Sequence, residues 1–386
     1  MVPVENCTGC SACRDRCPQQ AIEMREDREG FLYPTIDESK CNQCGLCAEI
    51  CPVRTTVPVE GIDEPAVYAA WTTDREVLRR SSSGGVFSEI ARVVLNKGGV
   101  VIGAAYDENM VVRQVGVETW ECLDKLRGSK YVQSDVADSY RIAKKYLDAG
   151  RHVLYSGTPC QIAGLHAALG SSHETLLTCS LICHGAPSPK VFRMYLAYLA
   201  RQYHAKVTGF CFRDKRYGWG HPTVSIKMSN GLTVDNSNFD DPYNMGFLKN
   251  IYLRPACHAC PYKTGQPVAD ITIGDFWELF KHQPELVNHG GTSAIIVNTT
   301  KGERVLKNAA CTLSMTECSF AYLRNDSNLR KCVRSHPSRA AFFADLDRLS
   351  FGELARKYMR PRSTAIRVLA RFRRCCLSMI SRVKRR

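Results

Sequence analysis

CTGCSACRDRCP at residues 7–18 and CNQCGLCAEICP at residues 41–52 share one pattern, C-x-x-C-x-x-C-x-x-x-C-P. They form an internal repeat with a period of 34. Cys7, Cys10, Cys13 and Cys17 map onto Cys41, Cys44, Cys47 and Cys51, and Pro18 maps onto Pro52. Three thiolates spaced three residues apart wrap one corner of a cubane, and in two-cluster ferredoxins the fourth cysteine of each run ligates the other cluster. The pattern predicts one [4Fe-4S] cluster on Cys7, Cys10, Cys13 and Cys51, and a second on Cys41, Cys44, Cys47 and Cys17. Zinc also uses C-x-x-C pairs, but rarely with a third spaced cysteine before C-P, and almost never twice. Residues 1–60 can bury little apolar area. The clusters are expected to hold this fragment together as well as to carry electrons.

The remainder of the 386 residues has an ordinary globular composition, 44% hydrophobic and 23% charged, which argues against disordered, collagenous and membrane-spanning classes. No secretory signal and no run of 18 apolar residues is visible, so a reducing cytoplasm is the expected compartment. There the 20 cysteines are read as metal ligands before disulfides. Charge is concentrated at one end. From Leu354 to Arg386 there are twelve Lys or Arg and no Asp or Glu, so 12 of the net +14 lie there and +2 remains for the body. The basic pI belongs to a tail, and nucleic acid is not expected as a partner.

After a linker at Thr55–Pro65 the chain alternates strand and helix signals. Strands are expected at 99–106, 152–157, 176–183, 223–228, 270–276 and 293–299. Helices are expected at 86–96, 135–148, 161–169, 191–202 and 301–309, with further helix from about Ser338. That alternation predicts an α/β domain with ligands beyond the carboxyl ends of its strands. The expected organisation is a small α+β dicluster ferredoxin domain (1–60), a larger α/β domain in two parts (65–150 and 151–335), and a basic helical tail (338–386).

A second set of cysteines falls at strand ends. The strand HVLYSG runs into GTPCQIAGL, where Thr158 and Gln161 form a capping box, Pro159 opens a helix and Cys160 sits in its first turn. Cys183 ends the next strand. Cys257 and Cys260 occupy a C-x-x-C turn before DITIGDF. Four thiolates can converge there.

The segments SSSGGVFS, RGSKYVQS, SGTPCQIAGL, ICHGAPSP, FRDKRYGWG and CHACPYKTGQPVADITIGDFW resemble, in order, the coenzyme F420 hydrogenase/dehydrogenase beta subunit family, nearest its members with a fused dicluster ferredoxin. The match covers roughly residues 1–335. The resemblance implies an iron–sulfur flavoprotein with FAD and a third [4Fe-4S] cluster in the α/β domain. Its ligands would be Cys160, Cys183, Cys257 and Cys260, with Cys179 as a substitute less free to reach; zinc on the same four is the competing occupant. The FAD candidates are Ser83, Gly84, Gly85, Ser129, Lys130, Tyr131, Gln133, Ser134 and Thr158, with Ser83–Gly85 preceding a helix start suited to a pyrophosphate. Trp219 and Trp277 are read as core packing before cofactor stacking. His184 is read either as a tuner of its neighbouring ligand or as a loop histidine. Cys122, Cys179, Cys211, Cys311, Cys318, Cys332, Cys375 and Cys376 are expected to be mostly buried apolar residues. No catalytic acid or base is assigned.

The expected function is oxidoreduction. Electrons would move between the ferredoxin-type clusters and FAD, and on to a deazaflavin-like, small-molecule or protein acceptor. A non-catalytic electron-transfer subunit and a zinc-stapled scaffold are the alternatives. An electron-donor or acceptor protein is an expected partner. In the tail, Ala365, Leu369, Phe372, Cys376, Met379 and Val383 form one apolar helical stripe among arginines. It suits an anionic membrane at the inner face or a partner subunit.

Overall fold

A computed structural model of the chain describes residues 2–55, 61–62, 64–263, 266–323 and 326–359. The linker expected at 55–65 lies mostly outside these residues, and the helix expected at 365–383 lies wholly outside them.

The cysteine-rich unit is built on a hairpin, β1 (Ile22–Glu26) and β2 (Leu32–Ile36), paired antiparallel with Ile22 opposite Ile36. Its cysteine loops repeat in backbone as well as in sequence. Residues 9 and 43 have φ of 70° and 57°, and residues 11 and 45 have φ of 65° and 76°. Left-handed residues at both interior positions of each loop curl the C-x-x-C-x-x-C runs back on themselves.

The body holds an eight-stranded sheet made from β3 (Ala66–Thr72), β4 (Val100–Tyr106), β5 (Val112–Val117), β6 (Val153–Gly157), β7 (Leu176–Leu181), and the later strands β11 (Ile271–Asp275), β12 (Ser293–Val297) and β13 (Leu313–Cys318). Its order is β13-β3-β12-β11-β7-β6-β4-β5. The central β4, β6, β7 and β11 are parallel and the flanking pairs antiparallel. Four parallel strands aim their carboxyl ends at one edge, where the cysteines lie. A separate sheet orders β10 (Thr233–Ser237), β9 (Thr223–Met228) and β8 (Val207–Asp214).

Helices Val86–Leu95 and Thr300–Ala309 cover one face of the large sheet through Ile90, Val94 and Leu306. Helices Ser139–Asp148 and Pro159–Leu169 cover the other through Tyr140, Ile162 and Leu165. The third core is aromatic, with Phe192, Tyr195, Phe212, Tyr243 and Tyr252 packed with Phe342 and Phe351, and the hairpin contributes Phe31 and Tyr33 to it. The cysteine-rich unit therefore shares the body's core. Asp270 locks three strands in register: its carboxylate accepts from the Thr178 amide (2.8 Å) and hydroxyl (2.7 Å) and from the Thr299 hydroxyl (2.7 Å).

The six expected strands all form. β1, β2, β3, β5, β8, β10 and β13 were not foreseen; β3 (AVYAAWT) illustrates why, since alanine is a poor strand former and its identity comes from packing between β12 and β13. The helix expected from 135 begins at Ser139, because Asp135 pairs its backbone with Val112 and Gln114 at the sheet edge. The stretch after Ser338 breaks into Arg339–Asp345, Phe351–Leu354 and a π-turn at Ala355–Met359.

Gly164, in the Pro159–Leu169 helix, touches the cysteine-rich unit. A Cβ there would stand 2.7 Å from Cys10 Cβ and 2.7 Å from Tyr140 Oη. Gly→Ala inside a helix ordinarily stabilises by up to about 1 kcal/mol. Here Gly164→Ala is expected to destabilise by about 1–3 kcal/mol through overpacking, read as a lowered thermal midpoint. A raised midpoint would refute the contact.

Candidate functional site

Cysteines of the first quartet lie near one another. Cys10 lies within electrostatic reach of Cys7 and Cys13, and Cys13 within reach of Cys7, Cys51 and Cys47. Short helices Ala12–Arg16 and Leu46–Glu49 meet there, carrying Cys13 and Cys47. The second quartet is joined through the hairpin. The Ala21 amide donates to Cys17 Sγ (3.3 Å), Asp37 N to Ala21 O (2.7 Å), and Cys41 N to Asp37 O (3.1 Å). Cys17 and Cys41 thus share one hairpin end. Cys44 is exposed, as are residues 42 and 43 beside it, so this quartet forms the outer face.

Cys160, Cys183, Cys257 and Cys260 line one cavity of about 110 Å³ at the carboxyl edge of the parallel strands. Cys160 follows β6 in the first turn of its helix, where the Thr158–Gln161 capping box is formed and the Thr158 hydroxyl lies 3.2 Å from Cys160 Sγ. Cys183 lies two residues past β7. Cys257 and Cys260 sit in and just after the turn Pro255–Ala259, and Cys257 Sγ accepts from the Ala186 amide (3.3 Å). Cys179 is not among them; it is buried in the sheet core opposite Ile271.

Among the described residues no three His, Cys, Asp or Glu side chains are gathered closely enough to hold a single metal ion. Convergence and burial carry the fit. Burial pushes Cys160, Cys257 and Cys260 up to about 11 and Cys13 up to about 12, and raises Cys10 and Cys183 as well. The sulfurs converge without closing on a single ion, and an all-sulfur donor set at that wider spacing suits a multi-iron cluster better than one zinc.

A larger cavity of about 650 Å³ shares a wall with the third quartet through Thr158, Cys160, Cys183 and His184. Its size is that of a small-molecule or cofactor site. Eight of the nine flavin candidates line it: Ser83, Gly85, Ser129, Lys130, Tyr131, Gln133, Ser134 and Thr158. Gly84 does not; it is packed under the loop, and a Cβ there would meet the Ala70 carbonyl at 2.3 Å. Gly85, with φ +84°, caps the Val86–Leu95 helix, whose first turn opens on the cavity.

Lys130 is half-buried and pushed down to about 8 by desolvation. Its ammonium donates to the carbonyls of Leu126, Arg127 and Gly128, so it holds its own loop. Gln133 faces two ways, donating to the Thr8 carbonyl (3.1 Å) and accepting from Arg254 (3.2 Å). Trp277 lines the cavity and stacks 4.3 Å from buried Trp219, whose indole N–H donates to Asp275 (2.8 Å). One tryptophan is core and the other is wall. His184 lines both cavities, its ring nitrogens 2.9 Å from Asn328 and 2.6 Å from Asn250.

Five buried polar atoms of the wall have no partner among the described residues: Gln114 Oε1, Arg127 Nη2, Arg213 Nε, Asn238 Oδ1 and Asn244 Oδ1. Each would otherwise carry a desolvation cost, which a polar ligand relieves. Arg127 sits at the helix-start end, its Nε donating to Ser88 (3.0 Å), where phosphate would bind. These five residues were not foreseen; Arg127 stands inside the quoted RGSKYVQS, and its charge was the available signal. Of the cysteines read as buried, Cys179 and Cys318 are; Cys211, Cys311 and Cys332 are exposed, on an edge strand and in connecting segments, and Cys122 is intermediate. Cys375 and Cys376 lie outside the described residues.

Three family models match in order. A 4Fe-4S dicluster domain matches residues 6–55, the N-terminal part of the coenzyme F420 hydrogenase/dehydrogenase beta subunit matches 67–140, and its C-terminal part matches 150–319. The ferredoxin-type protein NapF of Haemophilus influenzae is 39% identical over 45 residues, 12% of this chain and 26% of that protein. The chain thus spans about a quarter of the length of that relative. A ferredoxin-like protein from the nif region of Sinorhizobium fredii is 42% identical over 59 residues, 14% of this chain and 84% of that protein. Among solved structures, a chain of the F420-reducing [NiFe] hydrogenase complex from Methanosarcina barkeri is 18% identical, with a TM-score of 0.46, over 68% of this chain and 85% of that one.

The raised thiols give the iron-free protein a defined pH response. The folded state holds protons on Cys160, Cys257 and Cys260 from the ordinary 9.0 up to about 11, while unfolded chains release them near 9. The stability these groups contribute is complete below pH 9 and is lost as pH rises through 11. Denaturant midpoints of iron-free protein are expected to fall over that window, whereas iron-loaded protein, its ligands already thiolates, is spared. Equal slopes in the two forms would contradict the burial of these sulfurs.

Proposed function

The chain belongs to the coenzyme F420 hydrogenase/dehydrogenase beta subunit family, with an N-terminal 4Fe-4S dicluster domain, and from that premise we propose that it is an iron–sulfur flavoprotein relaying electrons between an external protein and a substrate bound beside a flavin. One observation carries the reading. Thr158, Cys160, Cys183 and His184 form a common wall between the third cysteine quartet and the 650 Å³ cavity. Bound FAD would supply the exchange between single electrons and electron pairs, and the clusters the one-electron relay.

The chain's own residues account for the rest. The Cys41, Cys44, Cys47 and Cys17 quartet, with Cys44 exposed, offers the outer contact for a donor or acceptor protein. The Cys7, Cys10, Cys13 and Cys51 quartet links it to Cys160, and Tyr262, on the wall of the Cys160 cavity, donates its hydroxyl to the Pro52 carbonyl (3.2 Å) beside Cys51. The Val86–Leu95 helix start and Arg127 bind and orient the phosphate end of the flavin. Tyr131, stacked 4.6 Å from Phe247, and Trp277 offer flat apolar walls to its rings. Leu181, Phe239 and Leu248, exposed apolar residues of the wall, favour an apolar or aromatic acceptor at the mouth.

Anaerobically purified protein is expected to hold about twelve iron and twelve sulfide per chain, with FAD released on denaturation. Cys183→Ser is expected to remove about four iron and leave the other eight. Arg127→Leu is expected to lose flavin and keep iron. Eight iron with one zinc, or iron without flavin, would overturn the corresponding part.

The tail, residues 360–386, is proposed to dock on a partner subunit or an anionic membrane. No helix among the described residues is long and apolar enough to cross a membrane. Flotation with anionic liposomes at low salt, comparing the full chain with one ending at Tyr358, tests the membrane reading: flotation only of the full chain marks lipid, and flotation of neither refutes it. Equal flotation of both would refute a role for the tail in membrane binding.

A further inference from the structure

Arg254 is 1% exposed and lies where the cysteine-rich unit meets the body. Its guanidinium donates to the Cys7 carbonyl (2.7 Å), the Leu32 carbonyl (3.0 Å) and Gln133 Oε1 (3.2 Å), and stacks 4.1 Å from the Tyr33 ring. No carboxylate is among these partners. A buried cation without an anion is costly, and three neutral oxygens do not neutralise it.

Two thiolate quartets flank it. On one side it supports the Cys7–Cys10 loop, where a Cβ on Gly9 would stand 2.7 Å from its Nη1. On the other it lines the cavity of Cys160, Cys183, Cys257 and Cys260, and its carbonyl accepts from the Cys257 amide (3.0 Å). A cubane on four thiolates carries net negative charge, and one more when reduced. A guanidinium is a permanent charge.

We propose that Arg254 is the shared counter-ion of the two inner clusters. It favours their reduced states and raises their potentials relative to the outer cluster on Cys41, Cys44, Cys47 and Cys17. No bond forms or breaks; one electron enters each cluster, and the fixed positive charge offsets the negative charge it adds. Net charge around a cluster is one of the levers on its potential, and a charge in a buried site is screened little. The inference rests on the three-cluster reading and deepens it, because it gives the relay an inward slope toward the flavin cavity.

The test is an EPR-monitored redox titration of the full-length protein and its Arg254→Gln and Arg254→Lys variants, each with iron counted. Signals are assigned by their loss in Cys44→Ser and Cys183→Ser. In Arg254→Gln both inner clusters are expected to shift to lower potential by at least tenfold in the redox equilibrium, which is 59 mV for one electron, with the outer cluster unmoved. Arg254→Lys keeps the charge but loses the planar fork, and is expected to hold both inner potentials within that limit. If Arg254→Gln loses iron, the lysine variant decides. Inner potentials that move with lysine as far as they would with glutamine, or loss of iron in both variants, would make Arg254 a structural clamp and overturn the proposal. Inner potentials unmoved in an iron-replete Arg254→Gln would do the same. Unaltered protein lacking three clusters would instead defeat the reading beneath it.

Discussion

The cysteine-rich unit is fastened to the body along one helix, Pro159–Leu169, whose first turn carries Cys160 and whose middle touches Cys10 at Gly164. That close approach is one of several that fix the unit against the body, with Gly9 against Arg254 and Gly30 against Lys190. With a side chain at 164 the unit would be held away from the helix, and Cys10 would stand farther from Cys160. The hairpin completes the attachment from the far side by placing Phe31 and Tyr33 in the body's aromatic core. An appended ferredoxin module could be tethered loosely. This one is built in as part of the same packed interior, so its clusters have a fixed relation to the α/β edge.

The same edge explains how two cavities come to share a wall. Parallel strands deliver successive loops to one side of a sheet, and here β6 delivers Thr158 and Cys160, β7 delivers Cys183 and His184, and β11 delivers Asp275 and Trp277. None of these side chains needs a long excursion. The capping box at Thr158 and the buried carboxylate of Asp270 hold β6, β7 and β11 in the register that makes the loops meet. Polar groups on the wall of the larger cavity, such as Arg127 Nη2 and Arg213 Nε, have no partner among the described residues.

Much of this was legible from the chain. The period-34 repeat, the helix start at Thr158 and the α/β alternation follow from local chemistry: ligand spacing, capping residues and alternating patterns each act within about ten residues. What was missed is non-local. β3 reads as a weak strand and forms only because β12 and β13 hydrogen-bond to it on both sides. Gly84 and Gly85 look alike in SSSGGVFS, yet one is pressed against the Ala70 carbonyl and the other opens onto the cavity.

Arg254 shows where the division falls. The sequence determined the thiol inventory, the pairing expected of two ferredoxin runs and the strand-end positions of the other four cysteines, because each depends on residues close together in the chain. It could not mark the arginine before PACHAC as different from any other. The role of Arg254 comes from Cys7, Leu32 and Gln133, which reach it from segments 247, 222 and 121 residues away. Only the tertiary structure decided that a positive charge would lie buried between two groups of thiols, because burial and the absence of a carboxylate are properties of the packed interior and not of the chain.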